Sequence, residues 1–227
     1  LPYGLDLNNQ IDVAKSATRL IVSLENVSSN TLLGIESKAQ EWLHENAPHL
    51  QSSGASSAVM FAYIGQRNIH SMLTGTSIAL VLISLVLVFA LRSLKLGLVS
   101  LVPNLAPAAM GFGLWGLLSG QVGLGLSVVM GMTLGIVVDD TVHFLSKYLR
   151  ARREQGLDSP TAVRYAFHTV GIALVVTSLV LIAGFLVLAQ SAFKLNADMG
   201  FLTAMIIGLA LLADFVFLPP LLMKVDK

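Results

Sequence analysis

Five long apolar stretches occupy the chain from about residue 72 onward, at roughly 72–91, 96–118, 122–147, 166–190 and 198–223. A helix needs roughly 20 apolar residues to cross the hydrocarbon core of a bilayer, and each stretch is close to that length. Five transmembrane helices are therefore predicted. Polar breaks separate them at Arg92–Lys95, at Ser119–Gly123, from Tyr148 to about Tyr165, and at Gln190–Asp198. Pro103 and Pro107 are expected to kink the second helix.

Residues 1 to about 70 read differently. Thr18–Leu24 is branched and apolar, as in a strand. In 30–46 the apolar positions Leu32, Leu33, Ile35, Ala39, Trp42 and Leu43 recur at helical spacing, with Ser29 or Asn30 as the cap and Pro48 just beyond the end. Ser57–Ile64 reads as a second strand. Such a βαβ-like unit is too small to be stable on its own. It is expected to complete a larger extramembrane domain, giving an organisation of 1–70 followed by a five-helix domain over 71–227. The chain opens at Leu1 with no signal-peptide pattern, so an upstream portion with its own targeting information is expected.

Composition agrees with a mainly α membrane protein. Hydrophobic residues make up 55%, charged residues 12%, and mean hydropathy is +0.76; soluble domains carry about 25% charged residues. There are no cysteines, which excludes thiol catalysis, disulfides and Cys-ligated metals. The net charge of +1 and the lack of basic runs give no reason to expect nucleic acid.

The basic residues set an orientation. Arg92, Lys95, Lys147, Arg150, Arg152, Arg153, Arg164, Lys224 and Lys227 flank one set of helix ends, and Lys194 alone lies in the opposite loops. By the positive-inside bias the first set is cytoplasmic, so the N-terminal segment faces the periplasm or exterior.

From Leu96 to Val138 there is no Asp, Glu, Lys or Arg, and then Asp139 and Asp140 arrive together, followed by His143 and Lys147. Ionisable groups at membrane depth cost several kcal/mol and mark ion pathways. At about 1.5 Å of rise per residue, Asn104, Asp139 and Asp214 fall about 12–13 Å, and Thr177 and Ser178 about 15 Å, from the cytoplasmic ends of their helices. That is one polar layer. Gly131, Gly135, Asp139, His143 and Lys147 share a stripe at i, i+4. Small residues on a stripe admit a neighbouring helix, so Asp139 is expected in a tight contact. Asp140, rotated by about 100°, shares a face with Ile136 and Phe144. Two adjacent carboxylates in a low dielectric cannot both stay charged cheaply, so the pair is expected to exchange protons as a unit.

The residues Gly135-Ile-Val-Val-Asp139-Asp140 fit the GxxxDD pattern of resistance-nodulation-division (RND) transporters. The continuation Thr141-Val-His-Phe-Leu-Ser-Lys-Tyr148, the run Thr169-Val-Gly-Ile-Ala with Thr177-Ser178-Leu and Gly184-Phe-Leu-Val, and the ending Asp214-Phe-Val-Phe-Leu-Pro-Pro-Leu-Leu222 resemble its MMPL branch. The resemblance implies five helices of a twelve-helix RND-type bundle, preceded by the end of an α/β periplasmic porter domain. It also implies proton-driven export of hydrophobic or lipid-like substrates from a bacterial inner membrane, with Asp139 and Asp140 in the proton relay. The wording of the motif is closer to the C-terminal half of such proteins, so an N-terminal half is the expected partner, with membrane lipids and a homo-oligomer as further partners. Asp214, Asn104, Thr177, Ser178 and His143 are candidate relay or polar-layer partners by depth alone. Gly131 and Gly135 are candidate packing positions.

Two other classes compete: a sterol-sensing-like lipid sensor or scaffold, and an accessory subunit of a protein-export complex. An enzyme is not expected, because no nucleophile–base spacing or phosphate loop appears. No metal or other cofactor is expected besides the proton. Asp139 and His143 offer only two or three ligands where a zinc site needs more.

Overall fold

The computed structural model describes residues 11–226, apart from 13, 15, 51, 121 and 122. The porter-domain expectation for 1–10, and Lys227 in the charge count, lie outside the described residues. The chain divides into two compact units at Tyr63–Ile64.

The first unit holds α1 (Ser29–Asn46) and the start of α2 (Ser57–Leu91). The cap of α1 is Ser28, one residue earlier than expected; its side chain accepts the Thr31 N–H at 3.3 Å. Glu36 on α1 gathers the chain beyond it, accepting from Tyr63 Oη at 3.0 Å and from the Gly54 N–H at 3.4 Å.

Neither expected strand is present. Over 18–24 the described residues show one isolated bridge, Ile11 to Thr18, and Leu20, Ile21 and Val22 are exposed. A strand exists only through a partner, and among the described residues no second strand pairs with it. Residues 57–64 are helical. Ser56 accepts the Val59 N–H at 3.1 Å and starts the helix. With no proline up to Leu91, the helix continues into the apolar span. The α/β reading of this segment is thus corrected to helix and irregular chain.

The second unit is an all-helical bundle. After α2 come α3 (Leu94–Val99), α4 (Leu101–Ser119), α5 (Leu124–Glu154), α6 (Ser159–Ala166), α7 (Ile172–Leu188), α8 (Lys194–Leu212) and α9 (Leu218–Val225). A π-helical turn over Phe167–Gly171 joins α6 to α7, and another over Ala213–Phe217 joins α8 to α9. Five of the resulting helical runs are long and apolar enough to cross a membrane: 57–89, 97–119, 125–154, 159–188 and 194–225. α4 runs through Pro107 without a break.

Packing in lipid relies on shape, because lipid tails are as apolar as leucine. One cluster gathers Phe144, Leu145 and Tyr148 of α5 with Ala162, Ala166, Leu218 and Leu222. A second, toward the other end, joins Trp115, Leu126, Val129, Leu202 and Ile206. Gly200 lets α8 lie close against the backbone at the end of α7. A Cβ there would lie 2.6 Å from the Phe185 carbonyl oxygen and the Ala189 nitrogen. Gly111 of α4 likewise makes room for Ile206 of α8.

Candidate functional site

α5 sets the site. Thr133, Leu134, Val137, Thr141, Phe144, Leu145 and Tyr148 recur at three- and four-residue spacing and are buried. That face turns toward α8 and the π-turn beyond it. Asp140 sits on the edge of this face and is half-buried. It accepts a hydrogen bond from Ser178 Oγ of α7 at 3.3 Å.

Asp214 lies in the π-turn and is 2% exposed. Thr141 Oγ1 is 3.0 Å from Asp214 Oδ1 and 3.2 Å from the Val137 carbonyl, so its single proton can serve either acceptor. Asp140 is within electrostatic reach of Asp214. Asp214 Oδ2 has no protein partner, and neither does the amide of Asn104, which is 1% exposed on α4. The side chains brought together are thus Asp140, Asp214 and Ser178, with Thr141, which sequence reasoning missed; Asn104 is buried on α4, which packs against the π-turn. A threonine on a membrane helix carries no signal of this role by itself, and only the neighbouring π-turn gives it an acid.

Asp139 is not among them. Its side chain is 72% exposed, with His143 Nε2 at 3.6 Å, itself 60% exposed. Gly131 and Gly135 are exposed too, and nothing lies within 4 Å of a Cβ built on either. Among the described residues nothing packs closely on the two glycines, which lie on an open face of α5. The large apolar side chains lie on the opposite side of α5, and their contacts decide which way the helix turns. Thr177 is exposed and bonds the Ala173 and Leu174 carbonyls of its own helix, at 2.9 and 3.1 Å, so it stands outside the layer.

A second polar cluster ties helix ends together. Tyr148 Oη donates to Asp226 Oδ2 at 2.7 Å and shares a hydrogen bond with Ser159 Oγ at 2.8 Å. Arg152 donates to the same Asp226 oxygen at 2.9 Å and to the Leu157 carbonyl at 2.9 Å. Partial burial pushes the Asp226 carboxyl up. The hydrogen bonds from Arg152 and Tyr148 and the charges of Arg152 and Arg153 outweigh this and hold it below the ordinary carboxylate range.

Elsewhere, a groove of about 320 Å³ lies between α2 and α5, lined by Asn68, Ser71, Met72, Gly75, Thr76, Ser127, Val128 and Gly131. Asn68 donates to Ser127 across it. Among the described residues no three His, Cys, Asp or Glu side chains cluster as a metal site would require.

The helix order, the acidic pair and its surroundings can be set beside known proteins. Residues 15–225 match the MMPL family. The chain belongs to the MMPL family. A relative in Methanocaldococcus jannaschii, described as "Putative membrane protein MJ1562", is 24% identical over 152 residues, covering 67% of this chain. The chain spans 39% of that relative's length. As an MMPL-family chain with five membrane-length helices, it is a multi-pass membrane protein of the RND type.

Proposed function

We propose that this chain supplies one five-helix set of a proton-motive-force-driven exporter of hydrophobic or lipid-like substrates, resident in the bacterial inner membrane. The observation that carries the reading is the acidic layer inside the bundle: Asp140 bonded to Ser178, and Asp214 bonded to Thr141 within electrostatic reach of Asp140. Carboxylates buried at membrane depth are costly and are kept where ions move. Moving one proton down a membrane potential yields about 2.3 kcal/mol per 100 mV, enough for several to drive a substrate uphill.

In this reading Asp140 and Asp214 trade the proton within the bundle. Asp139 and His143, on the open face with Gly131 and Gly135, meet a second helical surface. The partner half of an RND-type protein is the natural occupant, since two ionisable groups on one stripe of a membrane helix do not face lipid cheaply. The groove between α2 and α5 supports a lipid-like substrate, because it offers hydroxyl and amide groups beside Met72 and Val128. The N-terminal segment is periplasmic and the C-terminus cytoplasmic, a reading that the Lys and Arg distribution supports. The proton is the only coupling agent, and no enzymatic step is involved.

The test is gradient-driven flux by the complete protein in liposomes, with lipophilic dyes and lipid extracts as substrates. Asp140→Asn is expected to abolish flux while folding and insertion stay intact. Unchanged flux in Asp140→Asn would reduce the acids to structural bonds. No gradient-dependent flux in the wild type would favour the sensor or scaffold role.

A further inference from the structure

The buried polar layer contains groups that nothing among the described residues satisfies. Asn104 leaves both its amide nitrogen and its amide oxygen without a partner, and Asp214 leaves Oδ2. The two residues are 1% and 2% exposed. Buried groups of this kind are nearly always bonded, to protein or to ordered water.

The two lie at one level. α4 and α8 belong to the second and fifth of five successive membrane crossings, so they run in opposite directions. Gly111 packs on Ile206. Seven residues back along α4 from Gly111 is Asn104, and seven residues forward from Ile206 is Ala213, beside Asp214. Both steps cover about 10 Å in the same sense along the bundle. Thr203, another buried hydroxyl without a partner, is eleven residues from Asp214, about 16 Å away along the helix, and belongs elsewhere.

The backbone at this level is short of donors as well. Proline has no N–H. Pro107 therefore leaves the carbonyl of Pro103, next to Asn104, without its i+4 donor. Pro219 and Pro220 leave the carbonyl of Phe215, next to Asp214, without an i+4 or i+5 donor, and the Leu218 N–H goes to the Ala213 carbonyl. In a membrane, interrupted backbone persists only where protein or water satisfies it.

We propose that Asn104 and Asp214 hold a buried water between α4 and the π-turn, and that Asp214 exchanges its proton through that water. One water meets two of the three unmet atoms: it accepts from the Asn104 amide nitrogen and donates to Asp214 Oδ2. The step balances: a hydronium at the site gives one proton to the Asp214 carboxylate, leaving neutral water and a neutral acid, and release reverses it. The charged or titratable group reaching Asp214 from a neighbouring helix is Asp140 on α5. The water site stands on the geometry alone; its part in proton exchange rests on the transport reading above.

The test is infrared difference spectroscopy of the complete protein in lipid, cycled between neutral and acidic buffer in H₂¹⁶O and H₂¹⁸O. The wild type is expected to show a water O–H band that shifts with ¹⁸O. Asn104→Leu and Asp214→Asn should each remove the band, while Thr203→Val should leave it. Asn104→Ser, which can still bond water, should keep the band even if the leucine variant fails to fold. In liposomes Asn104→Leu should lower gradient-driven flux at least about tenfold, and Asn104→Ser should retain most of it. An ¹⁸O-sensitive band that survives in a folded Asn104→Leu variant overturns the site. So does a wild type in which the Asp214 carboxyl band responds to acid with no such water band. Loss of the band in Asn104→Leu with flux unchanged keeps the site and overturns its part in proton exchange. A wild type with the band but no proton-driven flux keeps the site and removes the transport reading.

Discussion

Asp139 and Asp140 are neighbours in sequence and opposites in surroundings. Asp140 sits at the edge of the buried face of α5, bonded to Ser178 and within reach of Asp214. Asp139 sits on the open face with His143, Gly131 and Gly135. One residue of offset is about 100° of helix rotation, and that rotation separates an acid served by this bundle from one that needs another surface. The two acids of the pair thus have different surroundings, and of the two Asp140 is the one hydrogen-bonded to another helix among the described residues.

The comparison can be broken most severely at the acids. Asp140→Asn and Asp214→Asn in the complete protein should each cut gradient-driven flux by about a hundredfold or more, as expected when a positioned proton-transfer group is lost. Retained flux in either would remove that residue from the relay. The two faces should also differ in their tolerance of volume change. Phe144→Ala empties a buried position packed edge-on against Phe167, ring centroids 4.9 Å apart. In lipid the cost is lost packing, so about 2–3 kcal/mol is expected, at or below the low end of the range for soluble cores, read as a lower melting temperature in detergent. Gly135→Ala on the open face should change the stability of the isolated five-helix bundle by less than about 0.5 kcal/mol. In the complete protein Gly135→Leu should abolish flux if a helix seats on that stripe, and leave flux intact if the stripe stays open.

A smaller effect than at the acids or Phe144 is expected at Asp226. Its carboxyl is held below the ordinary value near 3.8, so its charged form is favoured in the folded protein. The stability it contributes is therefore full above about pH 4 and is lost as pH falls through the depressed value. Asp226→Asn should lower stability at neutral pH by about 1 kcal/mol, since the network is only partly buried. It should also flatten the loss of stability below pH 4, which a thermal-melt series across pH would show.

The number of apolar, membrane-length helices was legible because hydropathy is a local property, but their ends were not, and the first begins at Ser57 rather than near residue 72. α1 was legible for the same reason, within a residue at each end. Ser57–Ile64 was misread because a short apolar run has no period of its own. What decided it was the helix it continues into. The π-turn over Ala213–Phe217 has a signal in sequence, the Pro219–Pro220 pair that denies two carbonyls their donors, and it places Asp214 among buried groups. The facing of the acid pair was not legible. Glycines on a helix stripe fit an open face as well as a tight seam, and only the bulk of Leu134, Val137, Phe144 and Tyr148 on the other side settles which way α5 turns.

The measurement closest to this claim uses a property of the chain itself: it has no cysteine. Ser178→Cys would be combined with Asp140→Cys or with Asp139→Cys, and a short thiol cross-linker applied to the folded protein, with the products read by mass spectrometry. The account predicts an α5–α7 cross-link for Asp140→Cys and none for Asp139→Cys. A cross-link through position 139 with none through 140 would contradict it.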